Sequence, residues 1–189
     1  EEALDLRRQG IYRPILVLGY TDPAAAPILA SNTITQTLFS EEYALQLAAE
    51  AAKAGCVVDC HVKIDTGMSR LGFDAENENT VLMVEKLAQS GSLHITGIFT
   101  HFAVADEDTP VSRDFTRLQF ERFMRVCNRL QADGVNMGLR HCCNSAGLLR
   151  FPNYAMDAVR VGSAILGRLS FKGSYNLKRV GTLEATVDE

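Results

Sequence analysis

His61-Val62-Lys63-Ile64-Asp65-Thr66-Gly67-Met68-Ser69-Arg70-Leu71-Gly72-Phe73 is the stretch on which the reading of this chain turns. Val57, Val58 and Cys60 join Val62 and Ile64 in a short, β-branched apolar run entered from Gly55, which is the pattern of a buried strand. The run stops at Asp65-Thr66-Gly67, a sharp polar turn, and Arg70 follows within the same loop. A buried strand ending in a Gly-bearing polar loop is how α/β proteins present chemistry at the carboxyl edge of a parallel sheet. Taken alone, Asp-Thr-Gly fits a strand followed by an Asp/Thr helix N-cap equally well.

The flanking chain repeats one rhythm. Residues 1–10 read as the end of a helix already under way, closed by Gly10, so a start upstream of Glu1 is expected. Strands are expected at 14–19, 33–39, 57–64, 93–102, 139–143 and 158–161. Helices are expected after Asp22-Pro23, over 43–53, 79–89 and 113–133, and in a short piece ending at Pro152. On the long helix Phe115, Leu118, Phe120, Phe123, Val126 and Leu130 are the candidate core. Leu183 to Val187 alternate with period two, as a further strand would.

Six strand–turn–helix units imply a parallel sheet covered by helices. At roughly 30 residues each they fit three-quarters of a (β/α)8 barrel, which typically needs about 250 residues. A doubly wound sheet is the competing architecture, but no glycine-rich dinucleotide turn follows the first strand. The expected fold is therefore α/β, a (β/α)8 TIM-type barrel of which this chain carries about strands 3–8. The barrel is expected over residues 1–176 and the start of a C-terminal β-domain over 177–189.

Composition narrows the function classes. With 47% hydrophobic and 22% charged residues in 189, one sizeable core can be buried. The net charge of −4 gives no basic footprint for nucleic acid or acidic membranes. No apolar run approaches the roughly 18 residues of a membrane span. The five cysteines are odd in number and lack CxxC spacing, and the four histidines are scattered, so no metal site is expected. Reduced thiols in a cytoplasmic protein are the expectation.

If these are the last strands of a barrel, the final two strand ends are Asn144-Ser145 and Gly162-Ser163. Both offer small residues, amide N–H groups and hydroxyls of the kind that hold a phosphate dianion, and barrels often bind phosphate there. Gly and Ser also simply make turns.

The opening string resembles the barrel domain of the pyridoxal-phosphate (PLP)-dependent alanine racemase family. The resemblance extends to Thr100-His101-Phe102-Ala103 with Ala105-Asp106-Glu107, and to His141-x-x-Asn144-Ser145-Ala146. Leu149-Arg150-Phe151-Pro152 and Val159-Arg160-x-Gly162-x-Ala164 complete it. It implies a racemase interconverting L- and D-alanine, which supplies D-alanine for peptidoglycan. Carried over by position, Ser145, Gly162 and Ser163 would hold the cofactor phosphate together with Asn144. Arg160 would face the pyridine nitrogen, buttressed by His141, and His101 would lie beside the ring. Arg70 would hold the cofactor's phenolic oxygen and the substrate carboxylate, and Lys63 matches a lysine that is carbamylated in many members.

The chain also departs from the family pattern. Ile165-Leu166-Gly167 replaces a Tyr-Gly, and Ser163 replaces an aliphatic residue, which implies a preference shifted towards serine or a broader range. The family's Schiff-base lysine, in a Lys-Ala-Asn-type motif, and the tyrosine base of its C-terminal domain are not in this sequence. The resemblance therefore implies a homodimer whose partner's C-terminal domain completes the site, and no turnover by these 189 residues alone. A barrel-type amino-acid decarboxylase and a non-catalytic PLP-binding module are the alternatives.

Overall fold

The computed structural model describes residues 1–173 and 175–181. The strand expected at Leu183 to Val187 lies outside them. Six strands form one parallel sheet: β1 (Ile15–Val17), β2 (Ile34–Leu38), β3 (Val58–Asp65), β4 (Phe73–Asp74), β5 (Leu93–Phe99) and β6 (Leu139–His141). Their order is β1-β2-β3-β5-β6, and β4 pairs only with the last two residues of β3. The main path is consecutive in the chain, as expected of a barrel wall and unlike a doubly wound sheet.

Helices cover one face: α1 (Glu2–Arg8), α2 (Ala26–Ser31), α3 (Glu41–Lys53), α4 (Asn79–Ala88), α5 (Pro110–Ala132) and α6 (Ser145–Arg150). Their starts follow local chemistry. Ser40 caps α3 by accepting the Tyr43 N–H, Thr109 caps α5 by accepting that of Ser112, and Asp22 caps the turn opened by Pro23. The buried residues of α3, Tyr43, Ala44, Leu47 and Ala51, recur at helical spacing.

The core lies between sheet and helices, where Cys60, Val62, Ile64, Ile95 and Ile98 meet Leu47, Val84, Phe123 and Leu130. The other face of the sheet carries a second buried layer of His61, Lys63, Phe99 and His141. Between Cys60 and His61 the β3–β5 register shifts: Cys60 pairs with Ile95 and His61 with Gly97. Thr96 is the extra residue of this bulge. It explains why Ile95 and Ile98, three apart, both face the helices although strand residues alternate.

Three expectations need correction. Residues 158–161 form no strand, because the pairing with β6 is broken. Only the N–H groups of Asp157 and Arg160 reach β6-side carbonyls, and the Arg140 N–H goes to the Asp157 carboxylate at 2.8 Å. Residues 73–74 do form one, too short for periodicity to reveal. On α5 Leu118 is exposed and Gln119, fully buried, takes the inward position. No helix is long and apolar enough to cross a membrane among the described residues, and all five cysteines are free.

Candidate active site

The carboxyl ends of β3, β5 and β6 converge with residues 160–164 around a cavity of about 350 Å³. Its walls include Met68, His101, Asn144, Ser145, Arg160, Gly162 and Ser163. Asp106 and Ser170, to which no role was assigned from sequence, also line it.

The β3 loop is shaped by Asp65. Its Oδ1 accepts the N–H groups of Gly67 and Met68 at 2.9 Å and of Ser69 at 3.1 Å, so this carboxylate is committed to a turn and caps no helix. The loop then returns so closely that a Cβ on Gly72 would lie 2.6 Å from the Asp65 nitrogen. Arg70, exposed on this loop, lines a neighbouring concavity of about 470 Å³ with Asp74, Glu76 and Arg122 and does not line the cavity of His101 and Ser145.

Arg160 is the centre of the inner layer. Nη1 donates to His141 Nδ1 at 2.5 Å and to the His141 carbonyl at 3.2 Å; Nη2 donates to the Thr100 carbonyl at 2.6 Å. Its guanidinium stacks over Phe99, 4.8 Å from the ring centroid. Burial lowers its pKa to about 10, so it stays charged at neutral pH. Because a guanidinium only donates, His141 must accept at Nδ1 and carry its proton on Nε2. That proton is given to His61 Nδ1, 2.9 Å away. His61 is thus the third member of a relay, a part that its place in the strand motif did not disclose. Gly97 leaves room for its ring: a Cβ there would sit 2.4 Å from it.

The three histidines are neutral. Burial, then the Arg160 charge, lowers His61 and His101 to about 4 and His141 to about 3. Since 6.5 is the ordinary value, the unfolded chain binds protons between pH 6.5 and 4 that the folded chain does not. The stability they contribute is complete above pH 6.5 and is lost as pH falls towards 4, at roughly 1.4 kcal/mol per histidine per pH unit. Thermal melts should fall steeply over this window, and a flat profile would contradict the relay.

Lys63 is 3% exposed, and among the described residues it has no hydrogen-bond or salt-bridge partner. Burial, then the Arg70 charge, lowers its pKa. Ser145, 7% exposed, accepts the N–H groups of Gly162 at 3.0 Å and Ala164 at 3.3 Å. Its own hydroxyl proton is therefore available to donate. Asn144 caps α6 by accepting the Gly147 N–H at 2.8 Å, with Nδ2 3.4 Å from His101 Nε2. Ser163 lies on the exposed turn that comes next in the chain.

Comparison with known proteins bears on this arrangement. The family model described as alanine racemase, N-terminal domain, matches residues 1–170. The alanine racemase of Desulfovibrio desulfuricans is 42% identical over 167 residues, covering 88% of this chain and 44% of that protein. That of Desulforamulus reducens is 40% identical over 190 residues, covering 98% and 50%. The solved alanine racemase of Clostridium difficile 630 in complex with cycloserine superposes with a TM-score of 0.82 at 35% identity, covering 88% of this chain and 45% of that one. The sheet is thus part of a TIM-type barrel, and the chain spans about half the length of the curated relatives it matches.

Proposed function

The chain belongs to the alanine racemase family, and on that premise we propose that it forms the cofactor-binding barrel portion of a PLP-dependent enzyme interconverting L- and D-alanine. One observation carries the reading. Arg160 has partners for Nη1 and Nη2, but its Nε–H has none among the described residues, and it lines the same cavity as the spare Ser145 hydroxyl. A lone donor for a ring nitrogen and a hydroxyl donor for a phosphate fit PLP. The open space beside Gly162, where a Cβ would meet nothing within 4 Å, agrees with that fit.

When bound, PLP draws electron density from the substrate α-carbon. Arg160 donates to the ring nitrogen without protonating it, which keeps the electron sink weak and favours return of a proton to the same carbon over transamination. His141 and His61 hold the guanidinium, while His101, beside Arg160, borders the ring. Asn144 fixes the start of α6, and Gly162 and Ser163 complete the phosphate turn. Arg70, which borders the adjoining concavity but whose charge is felt by both Lys63 and His101, takes the substrate carboxylate and the cofactor's phenolic oxygen from that side. Lys63, carbamylated, supplies the anion this cationic cluster lacks: its neutral amine adds to CO2 with loss of a proton. The proposed enzyme is a cytoplasmic homodimer, uses serine as a second substrate, and supplies D-alanine for peptidoglycan.

The test is a PLP titration of this chain, followed by an assay for D-alanine formed from L-alanine in a protein that also carries the Schiff-base lysine and the C-terminal domain. Ser145→Ala is expected to weaken PLP retention about 10- to 150-fold, as one hydrogen bond to a charged phosphate is worth roughly 1.5–3 kcal/mol. The turnover of loaded enzyme should change far less. Equal cofactor affinity in parent and variant would reduce Ser145 to a turn residue.

A further inference from the structure

Gln119 is fully buried on the core-facing side of α5, where an apolar residue of similar volume would pack as well. Its amide is used at both ends. Oε1 accepts the Ala103 N–H at 2.9 Å, while Nε2 donates to the His101 carbonyl and to Thr66 Oγ1, each at 3.2 Å. Thr66 Oγ1 in turn lies 2.8 Å from Thr100 Oγ1. Since Thr66 accepts from Gln119, its own proton can go to Thr100. A side chain on an outer helix therefore bridges the loops after β3 and β5, beneath the cavity wall formed by Met68 and His101.

Two neighbours on this helix face grip the first loop. Arg122 Nη1 donates to the Thr66 carbonyl at 3.2 Å, and the Phe115 ring lies against Gly67, where a Cβ would come within 2.9 Å. Positions 115, 119 and 122 share one face at helical spacing. Of these three, only Gln119 reaches on to residues 101–103.

We propose that Gln119 is a positioning residue: it fixes the separation between the Arg70-bearing loop and the His101-bearing loop, and thereby the fit of an amino-acid carboxylate against the cofactor. What the two loops hold rests on the racemase reading above; the coupling between them does not. Gln119→Met removes all three hydrogen bonds and keeps the volume. Gln119→Glu keeps the acceptor for the Ala103 N–H but, as a carboxylate, loses the donors to the His101 carbonyl and Thr66 Oγ1.

The experiment compares both variants with the parent and with Gln131→Met, an exposed control on the same helix. It measures KM and kcat for alanine in a PLP-loaded protein that also carries the Schiff-base lysine and the C-terminal domain, and the His101 ring resonances in the protein without ligand. Gln119→Met is expected to raise KM about tenfold with kcat within about threefold, and to shift the His101 signals. Gln119→Glu, which lacks the same two donors, should move both in the same sense, and Gln131→Met should change neither. A lowered melting temperature with KM and His101 signals unmoved would make Gln119 a packing residue and overturn the proposal. If the parent itself turns over no alanine, the racemase reading fails, and the His101 shift alone decides the coupling. If Gln119→Met does not fold, Thr66→Val takes its place and must shift His101 in the same way, or the proposal falls.

Discussion

Arg160→Glu is expected to cut racemisation on the order of a hundred-fold and to let side transamination appear. The substitution removes the donors to the Thr100 carbonyl and to His141, the first at 2.6 Å and the second at 2.5 Å. Two hydrogen bonds involving a charged group, at roughly 1.5 kcal/mol or more each, account for that magnitude. The change also reverses the local charge. A carboxylate in place of the guanidinium raises the proton affinity of His141 and His101, which Arg160 now depresses. The same carboxylate would favour a protonated ring nitrogen and a stronger electron sink, the condition for transamination. Following D-alanine formation and the conversion of the cofactor to its amine form checks both effects. Undiminished racemisation with no such conversion would remove Arg160 from the ring nitrogen.

Gly97→Ala is expected to damage the relay from behind, at a residue that does not line the cavity. The added methyl would lie 2.4 Å from His61 Cε1 and Nε2, and the ring is buried and held by His141. Overpacking of this kind costs about 1–3 kcal/mol, and the melting temperature should drop by about 5 °C or more. His141 Nε2 then loses its acceptor, which nitrogen resonances of the imidazole rings would register. Adding His61→Ala should recover much of the melting temperature by making room, yet leave the His141 signal displaced. If Gly97→Ala melts like the parent, the ring has another place to go and the relay is not fixed.

The strands that sequence reading located are those with two covered faces and polar turns at their ends. β3 is the clearest case, since it is buried along nearly all of its length and Asp65-Thr66-Gly67 must end it. Residues 158–161 misled because a short apolar run fixes neither pairing nor burial: Val159 is exposed, and the Asp157 carboxylate, which takes the ladder's N–H, lies outside the run. Gln119 misled for a related reason. Periodicity selects apolar positions, whereas the face of α5 near the carboxyl edge of the sheet is polar, with Ser112, Thr116 and Gln119 all buried. Ser145, Arg160, His101 and His141 were named through motifs shared with the racemase family, and the fold brings them close together. Arg70 was named by the same motif, but its side chain borders the adjoining concavity, a placement that the conformation of its loop decides. The part played by His61 depends on a neighbour 80 positions away, so no local pattern could disclose it.

The bulge at Thr96 has a consequence for how this strand can vary in length. Upstream of it, β5 points Ile95 towards the helices; downstream, Gly97 pairs with His61 and Phe99 with Lys63. Thr96 acts as punctuation: it is looped out of the pairing without changing the partners of residues 97–99, and it makes one hydroxyl bond to the Cys60 carbonyl at 3.3 Å. Deleting it would place Ile95 directly before Gly97 in ordinary alternation, so Gly97, Ile98 and Phe99 would keep their present sides and partners and only the bulge would go. This strand can therefore lose one residue at position 96 and still carry Phe99 to the underside of Arg160, whereas a further inserted residue would have to be taken up by a wider bulge or turn Phe99 to the helices.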